Sequence, residues 1–240
     1  TPFAGRNFEY YSEDGFIAGK LAEAEVKGAM SKGVIPYIKH FFLNDQETNR
    51  IGVCTFSNEQ AIREIYLRAF QYAFETTGED DPSCTGVMGG FNRLGATWTG
   101  HHSNLWKNVM EGEFGFTGNV TTDFGQNPAG LMNPQLAYEA GTTMFCTSSA
   151  TTFVNVIKDK VTKDSKLAYN LREATKRILY NFTKSMAMNG MTSTSKIVRV
   201  MTWYEIAFTV WIVISAVGTA ASVLMMTIHI INKNKEVTVK

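Results

Sequence analysis

Apolar residues along this chain follow two different spacings. Stretches in which they recur every three or four positions predict helices, and shorter β-branched and aromatic runs predict strands. The predicted helices cover residues 15–32, 58–73, 102–113, 134–140, 151–160 and 165–185, and the predicted strands cover 34–42, 85–92, 119–123 and 142–146. Ser57, with Gln60 three residues later, is expected to cap the second helix through a capping box. Strands that alternate with helices of this length are typical of βα units around a parallel sheet.

The number of units limits the fold. A complete (β/α)8 barrel takes about 250 residues, whereas about 200 precede the long apolar stretch near the carboxyl end. We therefore expect an α/β fold: a partial TIM-type barrel made of about the last four to five βα units, followed by a single transmembrane helix. The chain starts Thr1-Pro2-Phe3 without an initiator Met or a signal peptide, so we interpret it as a carboxyl-terminal fragment whose first barrel units lie upstream.

Residues 206–231 (IAFTVWIVISAVGTAASVLMMTIHII) contain no Asp, Glu, Lys or Arg. At about 1.5 Å per residue these 26 positions span roughly 39 Å as a helix, more than the roughly 30 Å of bilayer hydrocarbon. Trp203 and Tyr204 stand at its start as interfacial aromatic residues, and Lys233, Lys235 and Lys240 follow it, which favours a cytoplasmic carboxyl end. Upstream positive charges weaken that orientation: Lys184, Lys196 and Arg199. A buried core helix is the alternative interpretation.

These patterns divide the chain into a barrel domain (1–185), a linker (186–202), a membrane helix (203–232) and a short basic tail (233–240). With 44% hydrophobic and 19% charged residues, 240 residues suffice for one main domain. A net charge of +1 provides no basic surface for nucleic acid, so no nucleic-acid partner is expected. Cys54, Cys84 and Cys146 have neither metal-ligand nor disulfide spacing, and we expect buried small side chains. No metal and no cofactor is expected.

Polar side chains stand where the predicted strands end. Lys39 and His40 close one strand, Asp123 closes another, and Arg6 lies in the opening loop. Taken singly, such an aspartate is more often a helix cap, and such a Lys-His pair is more often solvated or salt-bridged. Together they would form a cationic, hydrogen-bonding rim around one carboxylate, which suits a sugar ring. The carboxylate could then attack an anomeric carbon and stabilise oxocarbenium charge.

Four segments carry a resemblance to a known family. They are 5–14 (GRNFEYYSED), 38–50 (IKHFFLNDQETNR), 87–92 (VMGGFN) and 115–125 (GFTGNVTTDFG). In this order they resemble glycoside hydrolase family 3, the β-glucosidase group, over roughly residues 1–185. The resemblance implies that Asp123 is the catalytic nucleophile and that Arg6, Lys39 and His40 bind the sugar. Phe91, near the end of the predicted strand 85–92, is predicted to bind the substrate as well. The resemblance also implies that Arg50, which closes the second segment, shapes the pocket.

Two departures from the family pattern bear on mechanism. Where relatives commonly have a Tyr-Asn pair near the nucleophile, this chain has Phe91 and Asn92, which keep the ring and lose the hydroxyl. Loop 42–51 contains no histidine, unlike the Asp-Ser-His loop of the N-acetylglucosaminidase branch. The resemblance then implies the glucosidase-like branch, in which a glutamate of an α/β-sandwich domain is the general acid. Glu47 is interpreted as a loop carboxylate bonded within its own segment.

The order of parts suggests how the parent protein is arranged. Residues 171–180 (LREATKRILY) resemble the helix that ends such barrels, and the apolar stretch follows soon after. Either the sandwich domain was lost or it precedes the barrel, and we favour the second arrangement. The predicted protein is a single-pass membrane enzyme with an extracellular catalytic domain and a cytoplasmic carboxyl end.

The predicted activity is retaining hydrolysis of terminal non-reducing β-D-glycosyl residues, β-glucosyl in the first place, in β-linked oligosaccharides or glycosides. The expected partners are this substrate, the lipid bilayer, the upstream barrel units and the sandwich domain. The isolated chain is expected to be inactive, because an open barrel exposes unpaired strand edges. Two alternatives stay open: a carbohydrate-binding membrane protein with a decayed site, and a structural barrel whose motifs only pack the sheet.

Overall fold

The computed structural model describes residues 3–75, 84–188, 194, 196 and 198–238. Its helices are α1 (Gly15–Met30), α2 (Glu59–Ala61), α3 (Arg68–Phe74), α4 (Pro134–Ala140), α5 (Ala150–Ile157), α6 (Ser165–Lys184) and α7 (Trp203–Thr238). Two π-helical segments, Ile62–Leu67 and Asn104–Glu113, and three 3-10 turns, Asn7–Glu9, Thr99–His101 and Met186–Met188, complete the helical elements. The strands are β1 (Ile38–Phe41), β2 (Cys54–Thr55), β3 (Gly86–Gly89), β4 (Arg93–Leu94), β5 (Thr97–Trp98) and β6 (Asn119–Thr121).

The main sheet has the strand order β1-β3-β6, and both pairings are parallel. The helix built from α2, the first π-helical segment and α3 connects β1 to β3, and the second π-helical segment connects β3 to β6. A parallel bridge between Thr121 and Met144 continues the order beyond β6, where the sequence predicts a full strand. The predicted alternation of strand and helix is therefore confirmed, with the fourth strand reduced to one bridge.

Helix ends show where local sequence signals succeed and fail. Asp14 caps α1 by accepting a hydrogen bond from the Ile17 amide. The predicted Ser57 cap is wrong, because the helix begins at Glu59 and the side chain of Asn58 accepts from the Ala61 amide at 2.8 Å. Gln60 instead bonds to the side chain of Glu64. A start one residue later puts Asn58 in the position from which a side chain reaches the third helical amide.

Aromatic packing under β1 fixes the strand that carries two predicted site residues. The ring of Phe41 is fully buried and contacts Phe42, Phe70, Phe74 and Trp106 at centroid distances of 5.0 to 6.3 Å. Side chains alternate between the faces of a strand, so a buried Phe41 holds the residues before it in place. The Lys39–His40 and Phe41–Phe42 peptide bonds in this stretch are cis.

A second, small sheet was not predicted. It contains β2, β4 and β5, with β2 and β4 parallel and β4 and β5 antiparallel. Each strand has two residues, too few to show a hydrophobic alternation. Gly95, at a φ of +59°, permits the tight turn between β4 and β5. The predicted burial of Cys54 in β2 is wrong, because this short outer strand leaves it exposed, whereas Cys84 is buried and Cys146 is half-buried.

The described chain divides into two units, Thr1–Met191 and Thr192–Lys240. In the second unit α7 begins at Trp203, the residue at which the predicted membrane helix begins. Among the described residues, Trp203–Lys233 is the one helix long and apolar enough to cross a membrane, and none of its most apolar window is buried. Part of the predicted linker 186–202 and Lys240 of the predicted tail lie outside the described residues.

Candidate active site

The carboxyl ends of β1 and β6 place a histidine against a carboxylate. His40 is buried in β1, and Asp123 lies two residues after β6 with its side chain 16% exposed. The Nε2 atom of His40 is 3.4 Å from Oδ2 of Asp123, although β3 separates their strands. The Asp123 amide donates to the Gly89 carbonyl at 3.2 Å, which ties the end of β6 to β3. We call His40 and Asp123 the strand-end pair.

A second group of charges forms at the first 3-10 turn. The carboxylate of Glu9 accepts hydrogen bonds from Nε and Nη2 of Arg6, both at 2.7 Å, and from Nζ of Lys39 at 2.7 Å. These two cations hold the pKa of Glu9 at about 2, well below its usual value. Arg6, Glu9 and Lys39 together are the opening-turn cluster. Sequence reasoning identified both cations and missed Glu9, although its spacing of three residues from Arg6 was a usable signal.

Tyr10 links the two groups. Its hydroxyl lies 3.3 Å from Nδ1 of His40, on the opposite side of the imidazole from Asp123. Burial lowers the pKa of His40; Asp123 opposes that change, whereas the charges of Arg6 and Lys39 reinforce it. Burial also raises the pKa of the Tyr10 hydroxyl. The histidine is therefore neutral near pH 7, and one ring nitrogen can donate while the other accepts.

Arg50 and Phe91 lie together at the edge of the site. The guanidinium of Arg50 is 4.7 Å from the centre of the Phe91 ring, and its Nη1 is 3.1 Å from Oε2 of Glu47. Glu47 is also 3.8 Å from Nη1 of Arg6. The contact with Arg50 agrees with the interpretation of Glu47 as a carboxylate bonded within its own segment, whereas the contact with Arg6 reaches outside that segment. Phe91 is only 2% exposed, so its ring supports Arg50 from behind rather than forming the pocket surface.

A cavity of ≈ 660 Å³ lies beside β1. Its polar wall includes Glu9, Tyr10, Lys39 and His40, and its apolar wall comes from α1 and from the helix that follows β2. Asp123 does not line it, so His40 stands between the cavity and the carboxylate. The six predicted site residues form three pairs in the structure. Arg6 and Lys39 are linked through Glu9, whereas His40 contacts Asp123 and Arg50 contacts Phe91 directly. Glu47 and Tyr10 connect these three pairs.

What this arrangement can do chemically follows from its charges. A carboxylate beside a buried neutral imidazole can act as a nucleophile, and the nearby cations can hold hydroxyl groups. The Asp123 carboxylate is partly exposed, and its Oδ1 accepts a hydrogen bond from the adjacent Phe124 amide at 2.6 Å. The side chain of Phe124, the residue after Asp123, is 49% exposed.

Comparison with curated proteins identifies relatives that are named β-glucosidases. Over 124 residues the chain is 42% identical to β-glucosidase B of Emericella nidulans and 40% identical to β-glucosidase A of Butyrivibrio fibrisolvens. Each alignment covers 52% of this chain and 14% of the relative. The chain thus spans about a seventh of the length of these curated relatives.

Solved structures give the same result for the fold. β-Glucosidase 3B from Thermotoga neapolitana, in complex with α-D-glucose, matches with a TM-score of 0.69 and 33% identity, over 78% of this chain and 26% of that one. The β-glucosidase of Bifidobacterium adolescentis matches with a TM-score of 0.67 and 26% identity, over 82% of this chain and 28% of that one. These similarities identify a TIM-barrel-like α/β fold. The family model described as the glycosyl hydrolase family 3 N terminal domain matches residues 1–180, and the chain belongs to this family.

Proposed function

We propose that the protein containing this chain is a retaining β-glucosidase that hydrolyses terminal non-reducing β-D-glucosyl residues. The observation that carries the proposal is the contact of Asp123 with His40 at the ends of two parallel strands, in a chain that belongs to a family of glycosyl hydrolases. The named relatives, which are β-glucosidases, support the substrate class.

In the proposed mechanism the Asp123 carboxylate attacks the anomeric carbon of the bound sugar. A bond forms between a carboxylate oxygen and this carbon, the glycosidic bond breaks, and the leaving oxygen takes a proton from a general acid. Water then adds to the anomeric carbon, the bond to Asp123 breaks, and the conjugate base of the acid takes the proton from water. Two inversions give net retention. We assign the acid to a glutamate of a sandwich domain elsewhere in the parent protein.

The remaining residues are proposed to bind the sugar. Arg6 and Lys39 supply N–H donors in the opening-turn cluster, and His40 supplies a neutral imidazole that reaches both Tyr10 and Asp123. Arg50, stacked on Phe91, closes the side of the pocket next to Glu47. Hydrogen bonds to sugar hydroxyls that strengthen in the transition state contribute to catalysis.

We also propose that this chain supplies about the last four to five βα units of a TIM-type barrel. Among the described residues, β1 lies at the edge of the parallel sheet, and the ≈ 660 Å³ cavity lies beside it. Upstream barrel units would pair with β1 on the side where this cavity lies, and they would add walls of the sugar pocket around Asp123 that this chain does not supply. The isolated chain is then inactive, because half of the pocket comes from elsewhere.

A membrane location is a further part of the proposal. We propose that α7 spans a bilayer, with the catalytic domain outside the cell and the carboxyl end in the cytoplasm. The apolar composition and exposure of Trp203–Lys233 support the span. Resistance to alkaline extraction from membranes tests the span, and protease digestion of intact cells tests the orientation. Release of the protein by alkali would contradict the anchor.

The activity is tested by following hydrolysis of an aryl β-glucoside by the natural-length protein with proton NMR. β-Glucose is expected to appear first and to mutarotate later, whereas α-glucose as the first product would contradict the retaining mechanism. A second candidate, a carbohydrate-binding protein with a decayed site, is favoured by one observation, the absence of a hydroxyl on Phe91. Glucose binding without any hydrolysis by the natural-length protein would support that candidate instead.

A further inference from the structure

We propose that Glu9 is a positioning residue of the sugar site: one carboxylate that bridges Arg6 and Lys39 and fixes both cations before a sugar binds. This inference rests on the proposed function, which uses both cations and gives Glu9 no role. It deepens that proposal by identifying what orients the two donors.

The geometry of the bridge is specific. Arg6 gives Glu9 one edge of its guanidinium, through Nε and Nη2, while Nη1 faces Glu47 at 3.8 Å. Lys39 gives one of its three N–H groups to Oε2, the oxygen that also accepts from Nη2 of Arg6. Charge-assisted bonds of 2.7 Å, including a two-point guanidinium contact, are the strong kind. Both cations are thereby held against the same carboxylate.

Exposure explains why such a bridge is needed. The Lys39 side chain is 41% exposed and has a long flexible stem, so nothing in its burial alone would fix the ammonium. Two cations that must meet the same sugar also repel each other. A shared carboxylate removes both problems, because it orders the side chains and compensates their charge before binding.

The location of Glu9 connects the bridge to the site. The cavity beside β1 is lined by Glu9, Lys39 and His40. Tyr10, which follows Glu9 in the chain, contacts the imidazole of His40. Glu9 therefore lies beside Lys39 and His40, two of the residues proposed to bind the sugar. The structure offers a matched comparison in Glu23 of α1, whose carboxylate accepts from Lys20 and Lys27, both at 2.8 Å. Glu23 does not line the cavity.

The test uses the natural-length protein with Glu9→Gln, Glu9→Asp and the control Glu23→Gln. For Glu9→Gln we expect the KM for an aryl β-glucoside to rise about tenfold to a hundredfold, the range that losing charge-assisted hydrogen bonds gives, with a smaller loss in kcat. Glu9→Asp should recover part of the loss, and Glu23→Gln should leave KM within about twofold. A purely structural role would lower the melting temperature and leave KM unchanged.

Binding is measured separately from chemistry by titrating D-glucose into the Asp123→Asn variant with and without Glu9→Gln. The same rise in Kd is expected, and it should shrink when Lys39→Met is also present, because the bridge then has one cation fewer. Equal effects of Glu9→Gln with and without Lys39→Met would overturn the positioning role. A wild-type protein that binds glucose without hydrolysing glucosides would reject the proposed function alone, since the glucose titration would still test Glu9.

Discussion

The strand-end pair and the opening-turn cluster lie next to each other and manage charge in opposite ways. In the pair, burial keeps His40 neutral beside the Asp123 carboxylate. In the cluster, contacts with Arg6 and Lys39 lower the pKa of the Glu9 carboxyl to about 2. The first group depends on exclusion of water, and the second on direct ion pairing.

This difference indicates a division of labour. A carboxylate that attacks carbon must not be neutralised by a proton from its neighbour, and near pH 7 the buried His40 is neutral and carries no imidazolium proton to give. Donors that recognise hydroxyls need fixed positions, and the bridge through Glu9 provides them. Reaction chemistry and recognition can then respond differently to pH, substitution and packing, and the four predictions that follow test this contrast.

The largest expected effect comes from removing the nucleophile. Asp123→Asn in the natural-length protein should lower kcat by about three orders of magnitude or more, since an amide cannot form the covalent intermediate. The Kd for glucose should change far less, because recognition lies mainly in the opening-turn cluster. Steady-state turnover of an aryl β-glucoside and a glucose titration measure the two quantities.

The control for that experiment is Asp159→Asn, which makes the same change at an exposed position after α5. Turnover should stay at the wild-type level there. Near-normal turnover by Asp123→Asn itself would contradict the assignment of the nucleophile. The strand-end pair would then have no role in the reaction that differs from recognition.

The next effect concerns β1, which carries residues of both groups. Phe41→Ala should destabilise the protein by about 3 to 5 kcal/mol, the usual cost of truncating a fully buried phenylalanine. Since Lys39 and His40 precede this residue on the same strand, both glucose affinity and turnover should fall together. Urea denaturation with the two assays checks this, and loss of turnover with intact glucose affinity would show that the groups are held independently.

The parts of the fold and of the site that could be predicted from the sequence are those that local sequence patterns determine. The parallel strands and α4 were predictable, because apolar periodicity and a Pro134 start with a Gly141 end are local signals. The strands β2, β4 and β5 were not, because two residues are too few to show an apolar alternation and because β2 pairs with β4 about 40 positions away. In the site, Asp123 and His40 were identified from strand ends and from the family resemblance.

The partners of those residues were harder to predict for a physical reason. Glu9 and Tyr10 contact Lys39 and His40, respectively, about 30 positions away, and the spacing of Glu9 from Arg6 is the one local signal for these contacts. The family resemblance places Phe91 near the nucleophile, but the ring is buried and packs against the guanidinium of Arg50. Tertiary contacts decide whether such a side chain faces the site or packs behind it.

A smaller effect is expected on the pH dependence of stability, which should differ between the strand-end pair and the opening-turn cluster. The pKa of His40 is lower in the folded protein than the usual value near 6.5, so its contribution to stability is complete above that value and is lost as the pH falls below it. Between pH 7 and 5 this loss should reach up to about 2 kcal/mol. His40→Gln should remove that part of the pH dependence.

Burial also lowers the pKa of His101 and His102, so the informative quantity is the difference between wild type and His40→Gln at each pH. Urea midpoints at pH 7 and 5 provide it. A wild-type minus variant difference that is the same at both pH values would contradict a neutral, buried imidazole beside Asp123.

The smallest expected effect belongs to the opening-turn cluster in the same pH range. The pKa of Glu9 is lowered to about 2, so its stabilising contribution is present above its usual value of 4.5 and is lost only as the pH falls from there towards 2. The difference in stability between wild type and Glu9→Gln should therefore be equal at pH 7 and pH 5, in contrast to His40→Gln. Urea midpoints of both variants at both pH values make the comparison directly. A Glu9→Gln difference that falls between pH 7 and 5 as steeply as the His40→Gln difference would mean that the two groups titrate as one unit, because the charge on Glu9 would then depend on the protonation of His40.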